Sequence, residues 1–340
     1  MAFFGVAAAD VLTLAMPLLI AGDGGIAGDG GAARRTVLVC GEGVPRNAPA
    51  AHAHGFFTRD GATPSELLRI GRAQLRPYES VRYREVAVAD AGRRAGRVEV
   101  ALNDDEIALS GAAPRDGHFA VLLGDGDVAQ ARRLLLATGV VDTLPPIPGL
   151  ADLWGTGVFH RPYCHGWEVR DQPLAVLNNG PMGVEQALLI SQWSRDLVLC
   201  TDGPATLTDD DRRRLAARGI RVREERIARV EGGAGRLKRL VFVDGAGLAR
   251  RGVFLHPAQR QRSDLASRLG CTLVRPFPGM EMTIIGVDAI GYTGVPGVYA
   301  AGDATTPMQQ VGGAAASGAT AAAMINRDLL MEDVSGEQVA

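Results

Sequence analysis

Cysteine is scarce and scattered in this 340-residue chain: Cys40, Cys164, Cys200 and Cys271 form no C-x-x-C pair. That spacing disfavours a structural zinc site and a disulfide framework, and no metal is expected. A surplus of charge of either sign is also missing, since the formal net charge is −2. Nucleic acid and acidic membrane surfaces are therefore not expected partners. The longest apolar stretch near the start, residues 11–22, is only about a dozen residues, too short to cross a bilayer. No Lys or Arg precedes Arg34, so the stretch lacks the basic flank of a secretory signal and the chain reads as cytoplasmic. Aromatic residues are few, at 5%, whereas glycine is abundant, at 44 of 340 residues against a usual share of about 7%. No collagen-like or low-complexity period accompanies the glycines, so they are read as serving tight turns and close backbone approaches.

Apolar runs of strand length recur at 10–14, 36–40, 131–139, 173–178, 196–200, 239–244 and 297–303. Helix-like stretches lie between several of them, notably 184–194 and 209–219, the latter opening on Asp residues and closing on Gly219. Strands alternating with helices predict parallel sheets covered on both faces, an α/β class. The proline-bearing segment 140–150 and the segment 256–264 read as crossings between units. They divide the chain into a discontinuous domain, residues 1–144 with 252–340, and an inserted domain, residues 145–251. Residues 275–299, with Pro276, Pro278 and Pro296, read as turns and short antiparallel strands.

The segment 297–330 reads as a strand, an Ala-Gly-Asp turn and a long small-residue helix ending at Arg327. A strand running into such a turn lets backbone amides approach a phosphate or a ribityl chain, with Asp303 placed to bind hydroxyls. The plainer alternative is a small-residue helix packed on a sheet.

This segment, LLLATG at 134–139, PYCHGWEVRDQPLAVL at 162–177 and the split-domain order resemble the thioredoxin-reductase-like branch of the pyridine-nucleotide-disulfide oxidoreductases. PRNAPAAHAHGFFTRDG at 45–61 also resembles the members that oxidise dithiol metabolites such as gliotoxin or holomycin. The resemblance covers residues 36–330 and implies two Rossmann-like dinucleotide-binding domains, the smaller inserted in the larger, with FAD bound and a homodimer formed. It assigns cofactor contacts to Asn47, Thr138, Gly139, Gly302, Asp303, Gln309 and Gln310.

The chain departs from that family at separate places. G-x-G-x-x-G follows the first strand in the family, but here residues 10–14 lead into Ala15, Met16, Pro17, Leu18, Leu19 and Ile20. A rival register, Gly22, Asp23, Gly24 and Ala27, gives G-x-G-x-x-A but leaves only about eight residues before the strand at 36, short for a crossover helix. The acidic residue closing the second strand falls on Gly41, with Glu42 one place on. The family's Cys-x-x-Cys is Arg161, Pro162, Tyr163 and Cys164, and one thiol cannot form a disulfide. In the middle domain Asn178 stands where the first fingerprint glycine belongs, followed by Gly180 and Gly183. Asn tolerates positive φ, so the turn there is expected to survive. The acidic stretch 201–211 repels a 2′-phosphate, so NADPH is disfavoured.

Arg161, Tyr163, Cys164, His165 and Trp167, with His160 alongside, are read as lining a small-molecule pocket. Cys164 is either a lone nucleophile, its thiol acidified by Arg161 and a charged His165, or a packed small hydrophobe. His54, with His52 beside it, is an acid/base candidate against the alternative of surface or capping histidines.

Three functions stand open. One is a non-redox enzyme of specialised, antibiotic-type metabolism on a degenerate flavoprotein scaffold, closing or isomerising an apolar small molecule by holding it near its reactive geometry. Another is an FAD-dependent oxidoreductase of a small metabolite; the third is an idle scaffold. FAD is then a working cofactor, a weakly held structural prop, or lost.

Overall fold

The computed structural model describes residues 18–22, 35–93, 118–277 and 281–337. The expected strand at 10–14, and residues 23–27 of the rival glycine register, lie outside them. The chain forms two compact units, one of residues 1–46, 65–141 and 259–340, the other of residues 47–64 and 142–258. The segment 47–64 thus groups with the second unit, whereas the sequence division assigns it to the first.

The first unit is built on a five-stranded sheet in the order Val298–Ala300, Arg133–Leu136, Leu18–Gly22, Thr36–Cys40, Val81–Arg84. Leu134 and Leu136 face one apolar cluster with Phe119, Val121 and Ile285, while Leu135 faces another with Tyr299, Ile325 and Leu329. This strand is buried on both faces, which explains its unbroken apolar run. The 36–40 strand runs parallel to 81–84, and 133–136 parallel to 298–300. The central 18–22 strand opposes both of its neighbours, with Leu18 opposite Cys40 and Gly22 opposite Thr36. An antiparallel meander, Val88–Arg93, Phe119–Leu123 and Val128–Ala131, adds to the same core.

The C-terminal helix, Val311–Glu337, continues ten residues beyond Arg327, where the sequence reading ends it. Its last turns are held from the sheet side: Arg132 bonds Asp333 and Arg133 bonds Asp328 at 2.7 and 2.8 Å. Such carboxylate partners 195 and 201 residues away along the chain carry no local sequence signal.

In the second unit five parallel strands follow the order Arg221–Arg223, Leu197–Cys200, Leu174–Leu177, Gly252–Leu255, Val158–Phe159. Alternate residues divide the core. Ala175, Leu177, Val198, Val253 and Leu255 meet an antiparallel layer through Val230, Leu240 and Phe242. Leu174, Val176, Leu197, Leu199 and Phe254 meet the helices Gly180–Ile190 and Asp209–Ala217 through Val184, Ala187 and Leu215. Thr208 and Asp211 cap the second helix reciprocally, as its Asp-rich start predicts. The first helix begins and ends four residues earlier than the periodicity at 184–194 suggests, because Asn179 caps it. The fold is α/β with two dinucleotide-binding-type units.

Candidate functional site

Arg161 precedes the short helix Pro162–His165, and Pro162 occupies a first-turn position where its missing N–H costs nothing. Gly166 closes the turn tightly: a Cβ there would sit 2.6 Å from the Pro162 carbonyl oxygen and 2.8 Å from the Trp193 ring. Tyr163 is exposed and meets Trp193 edge-on, with ring centroids 5.5 Å apart. Trp167 is exposed too, and the Arg170 guanidinium lies 3.9 Å above its ring centroid.

His165 turns inward and stacks on Phe159, with centroids 4.9 Å apart. Burial, with a smaller contribution from the charge of His54, pushes its pKa down to about 4. Its Nδ1 is buried with no hydrogen-bond partner. His165 is therefore neutral at pH 7, which corrects the expectation of an imidazolium beside Cys164. Cys164 is half-buried, Cys40, Cys200 and Cys271 are buried, and none of the four is in a disulfide. Burial raises the Cys40 and Cys200 thiols to about 11 and 12, and that of Cys271 in the same direction.

His54 sits in a loop closed by the Ala53–Ala62 bridge. Its Nε2 lies 3.1 Å from Glu168 Oε1 and its Nδ1 3.6 Å from Asp60 Oδ2. Asp60 accepts the Gly55 N–H at 2.8 Å, and that bond lowers its pKa. Glu168 and Asp60 are absent from the sequence-level candidates. The signal for Glu168 is that it is the only acid in residues 161–170. His52 bonds the Gly61 carbonyl at 3.0 Å as a loop tie. His160 Nε2 lies 3.3 Å from Nδ1 of His256, a partner the sequence does not indicate. Asn47 belongs to this unit as well, its carbonyl accepting the Ala50 N–H at 2.9 Å.

The expected positive φ at Asn178 does not occur; Gly180 takes it instead, at +63°. Asn178 bonds its own neighbour's N–H and donates to Gln186 at 3.0 Å. Asn179 Oδ1 accepts from the N–H groups of Gly180 and Thr206 and from the Thr206 hydroxyl, at 2.8, 2.9 and 3.2 Å. Its own amide donates to the Pro204 carbonyl at 2.9 Å. The helix N-terminus, where a dinucleotide's phosphates bind in this fold, is thus occupied by the chain's own carboxamide. Gly183 keeps its packing role, since a Cβ there would lie 3.0 Å from the Asn178 carbonyl carbon.

In the first unit, Asp303 and Gln309 converge on Arg46, whose Nη1 lies 2.9 Å from Asp303 Oδ2 and 2.7 Å from Gln309 Oε1. Gln309 also exchanges two amide hydrogen bonds with the buried Gln259, at 2.8 and 3.1 Å. The Asp303 carboxylate, expected to meet ligand hydroxyls, is engaged by Arg46. Gly302 has φ +74°, is buried and donates its N–H to Ser317 at 3.0 Å; Gln310 is exposed. Thr138 lines a cavity of about 600 Å³ with Glu42, Arg260, Gln261, Arg262 and Thr283. The adjacent Gly139, at φ +69°, accepts the Arg262 N–H at 3.1 Å. Gln261 Nε2 donates to the Thr283 and Ala304 carbonyls at 2.8 and 3.1 Å, leaving Oε1 buried and without a partner.

These groups follow the carboxyl ends of the 36–40, 133–136 and 298–300 strands, the edge at which a doubly wound sheet binds nucleotides. A carboxylate after the second strand and an orphaned acceptor fit the adenosine end of FAD, which offers hydroxyl and amino donors. Gly22, first residue of one G-x-G-x-x-A register, lies opposite Thr36, at the start of the 36–40 strand and not at its end, and the rest of that register lies outside the described residues. Among the described residues no helix is long and apolar enough to cross a membrane.

The model of a family described as pyridine nucleotide-disulphide oxidoreductase matches residues 34–320. The chain is 27% identical over 324 residues to a thioredoxin reductase named sirT from Leptosphaeria maculans, covering 90% of each chain. It is 28% identical over 312 residues to a thioredoxin reductase named tcpT from Claviceps purpurea, covering 89% of each. The crystal structure of HlmI superposes with a TM-score of 0.78 at 37% identity, over 98% of this chain and 92% of that one.

Proposed function

Because the chain belongs to the pyridine nucleotide-disulphide oxidoreductase family, in its thioredoxin-reductase-like branch, we propose that it is an FAD-dependent oxidoreductase of natural-product biosynthesis. It oxidises a small molecule without a redox dithiol of its own. The observation that carries this reading is the site around residues 161–168: Arg161 replaces the first cysteine, while a histidine held between two carboxylates lies in the same unit. The family and both fungal relatives carry oxidoreductase names, which favours redox chemistry over the ring-forming or isomerising alternative.

FAD, when bound, supplies a two-electron acceptor; Glu42, Thr138 and Gln261 would hold its adenosine end. Every other part of the mechanism falls to this chain's side chains. Glu168 accepts a hydrogen bond from the Nε2–H of His54 and so fixes the tautomer whose Nδ1 carries the lone pair. Oxidation of an alcohol, amine or thiol releases a proton, and Nδ1 takes it. The Asp60 carboxylate at 3.6 Å then stabilises the imidazolium. Arg161 binds a carbonyl or anionic group of the substrate, and the exposed rings of Tyr163 and Trp167 contact its apolar part. Cys164 has no second thiol in its turn, so electrons do not pass through an internal disulfide. The self-capped helix at Asn179 argues against a nicotinamide nucleotide as the electron acceptor, leaving oxygen or another external acceptor to take the two electrons. The protein works as a homodimer, as is common in the family, in the cytoplasm, where its thiols stay reduced.

The test is to saturate the purified protein with FAD, add small alcohols, amines and dithiols anaerobically, and follow the flavin absorption near 450 nm, then admit oxygen. Bleaching by a substrate and recovery with oxygen support the reading. A flavin band unchanged by every donor, dithionite excepted, would sink it.

A further inference from the structure

In the second unit the chain passes from the antiparallel strand Gly247–Ala249 to the parallel strand Gly252–Leu255 in two residues, Arg250 and Arg251. Both backbones are tied: the Arg250 N–H donates to the Lys238 carbonyl at 3.2 Å and the Arg251 N–H to the Pro173 carbonyl at 2.7 Å. So short a crossing leaves Arg250 inside, with only 6% of its side chain exposed. Arginine is almost never buried to that degree unless it is paired. Here the pairing is half made. Nη1 donates to the Ala249 carbonyl at 2.7 Å, but Nε and Nη2 are buried and have no hydrogen-bond partner. These two N–H groups share one edge of the planar guanidinium, the edge that takes two oxygens of an oxyanion side by side. A buried charged donor is costlier to leave unmet than a neutral one.

The charges around that edge favour an anion. Asp196, immediately before the strand Leu197–Cys200, lies 3.4 Å from Nη2 as an ion pair without a hydrogen bond, and its carboxylate is 53% exposed. Burial above all, and with it the cations Arg221 and Arg223, press the Arg250 pKa down against the pull of Asp196. Arg223 is already matched, since its Nε bonds both Glu225 oxygens at 2.9 Å and its guanidinium lies 4.5 Å above the Phe242 ring centroid. Arg221 is exposed and pairs with Val198 in the parallel ladder, two residues on from Asp196. One half-exposed carboxylate thus serves a region that holds Arg221 and Arg250 together. All three residues stand at the amino ends of their strands, the opposite edge from the one at which a doubly wound sheet binds nucleotides.

We propose that Arg250 binds a small tetrahedral oxyanion, the size of phosphate or sulfate, through Nε and Nη2, with Arg221 supplying the second positive charge. The ion enters from the side of Asp196, whose carboxylate competes for the same edge and turns outward when the ion is held. Enclosure of the guanidinium restricts the ligand to an inorganic ion and excludes esters that carry a bulky group. Bound there, the ion joins the starts of the 197–200, 221–223 and 252–255 strands and stabilises the second unit by mass action. The site is independent of the electron chemistry proposed above.

The full-length protein is titrated with inorganic phosphate by calorimetry at pH 7 and constant ionic strength, with sulfate and chloride as competitors. The expected result is one saturable phosphate site that sulfate competes for and chloride does not. Arg250→Met, which keeps the bulk and removes the charge, should weaken phosphate at least about tenfold, and Arg221→Ala about three- to tenfold. Asp196→Asn removes the competing carboxylate and should tighten phosphate by about three- to tenfold. Arg221 and Asp196 carry exposed side chains, so these two variants decide the matter if Arg250→Met does not fold. Glycerol 2-phosphate should bind at least about tenfold more weakly than phosphate. Absence of saturable binding up to about 20 mM phosphate overturns the proposal. So does an affinity indifferent to Arg250→Met, or to both Arg221→Ala and Asp196→Asn. Loss of stability in Asp196→Asn with no gain in phosphate affinity also overturns it, because the carboxylate is then the edge's own partner. Glycerol 2-phosphate bound as tightly as phosphate overturns the assignment to an enclosed inorganic ion.

Discussion

The Nε2 atom of His54 lies 3.1 Å from Oε1 of Glu168, joining a loop to a helical turn 114 residues further along the chain. Both side chains are largely shielded, at 16% and 21% exposure, so the bond orients the ring and does more than decorate a surface. His54→Asn should lower kcat by about 10²–10⁴-fold, the range for removing a positioned acid or base. Glu168→Gln keeps a hydrogen-bond acceptor and should cost less, about tenfold. Steady-state rates with FAD in excess, checked against circular dichroism for folding, measure both; unchanged rates in His54→Asn would remove the histidine from the chemistry.

Burial of neutral His165 makes stability depend on pH. Its pKa is about 4 in the folded protein against 6.5 ordinarily, so between those values the unfolded chain binds the extra proton. The native state therefore has its full stability above pH 6.5 and loses it progressively as pH falls toward 4, by up to about 3 kcal/mol. His165→Phe removes the titrating group and the orphaned Nδ1 together. Urea unfolding at pH 7 and pH 5 should show a smaller loss in His165→Phe than in the parent; equal losses would contradict the assignment.

The carboxamide of Asn179 makes four hydrogen bonds at the start of its helix. Asn179→Ala should destabilise the protein by about 1–2 kcal/mol, through loss of the cap and its tie to Thr206. In the parent, NADH and NADPH should not quench protein fluorescence at micromolar concentrations. Micromolar binding of either would mean that the capping loop opens.

Thiol chemistry should separate Cys164 from the rest. Cys40 and Cys200, raised to about 11 and 12, hold almost no thiolate at pH 8, and Cys271 is buried. A disulfide exchange reagent at pH 8 should titrate one thiol per native chain and four in denaturant, with Cys164→Ser abolishing the native reaction. Two or more fast thiols would contradict the burial pattern.

What the sequence determined by itself is local and periodic. Alternation of apolar runs with helical stretches set the doubly wound class, the Asp-rich run from Asp209 marked its helix start, and Arg161 removed the dithiol before any coordinates were needed. Tertiary structure decided the rest, because the contacts concerned join residues far apart in the chain. Arg46 meets Asp303 across 257 positions, and neither neighbourhood announces the other. The direction of the 18–22 strand belongs to the same class: five residues pair equally well by composition in either sense, and only the register against Cys40 and Leu136 fixes which end carries Gly22. In the same way the sequence placed Asn178 at the phosphate turn, and hydrogen bonds to Thr206 and Pro204, more than twenty residues on, made its neighbour Asn179 the cap.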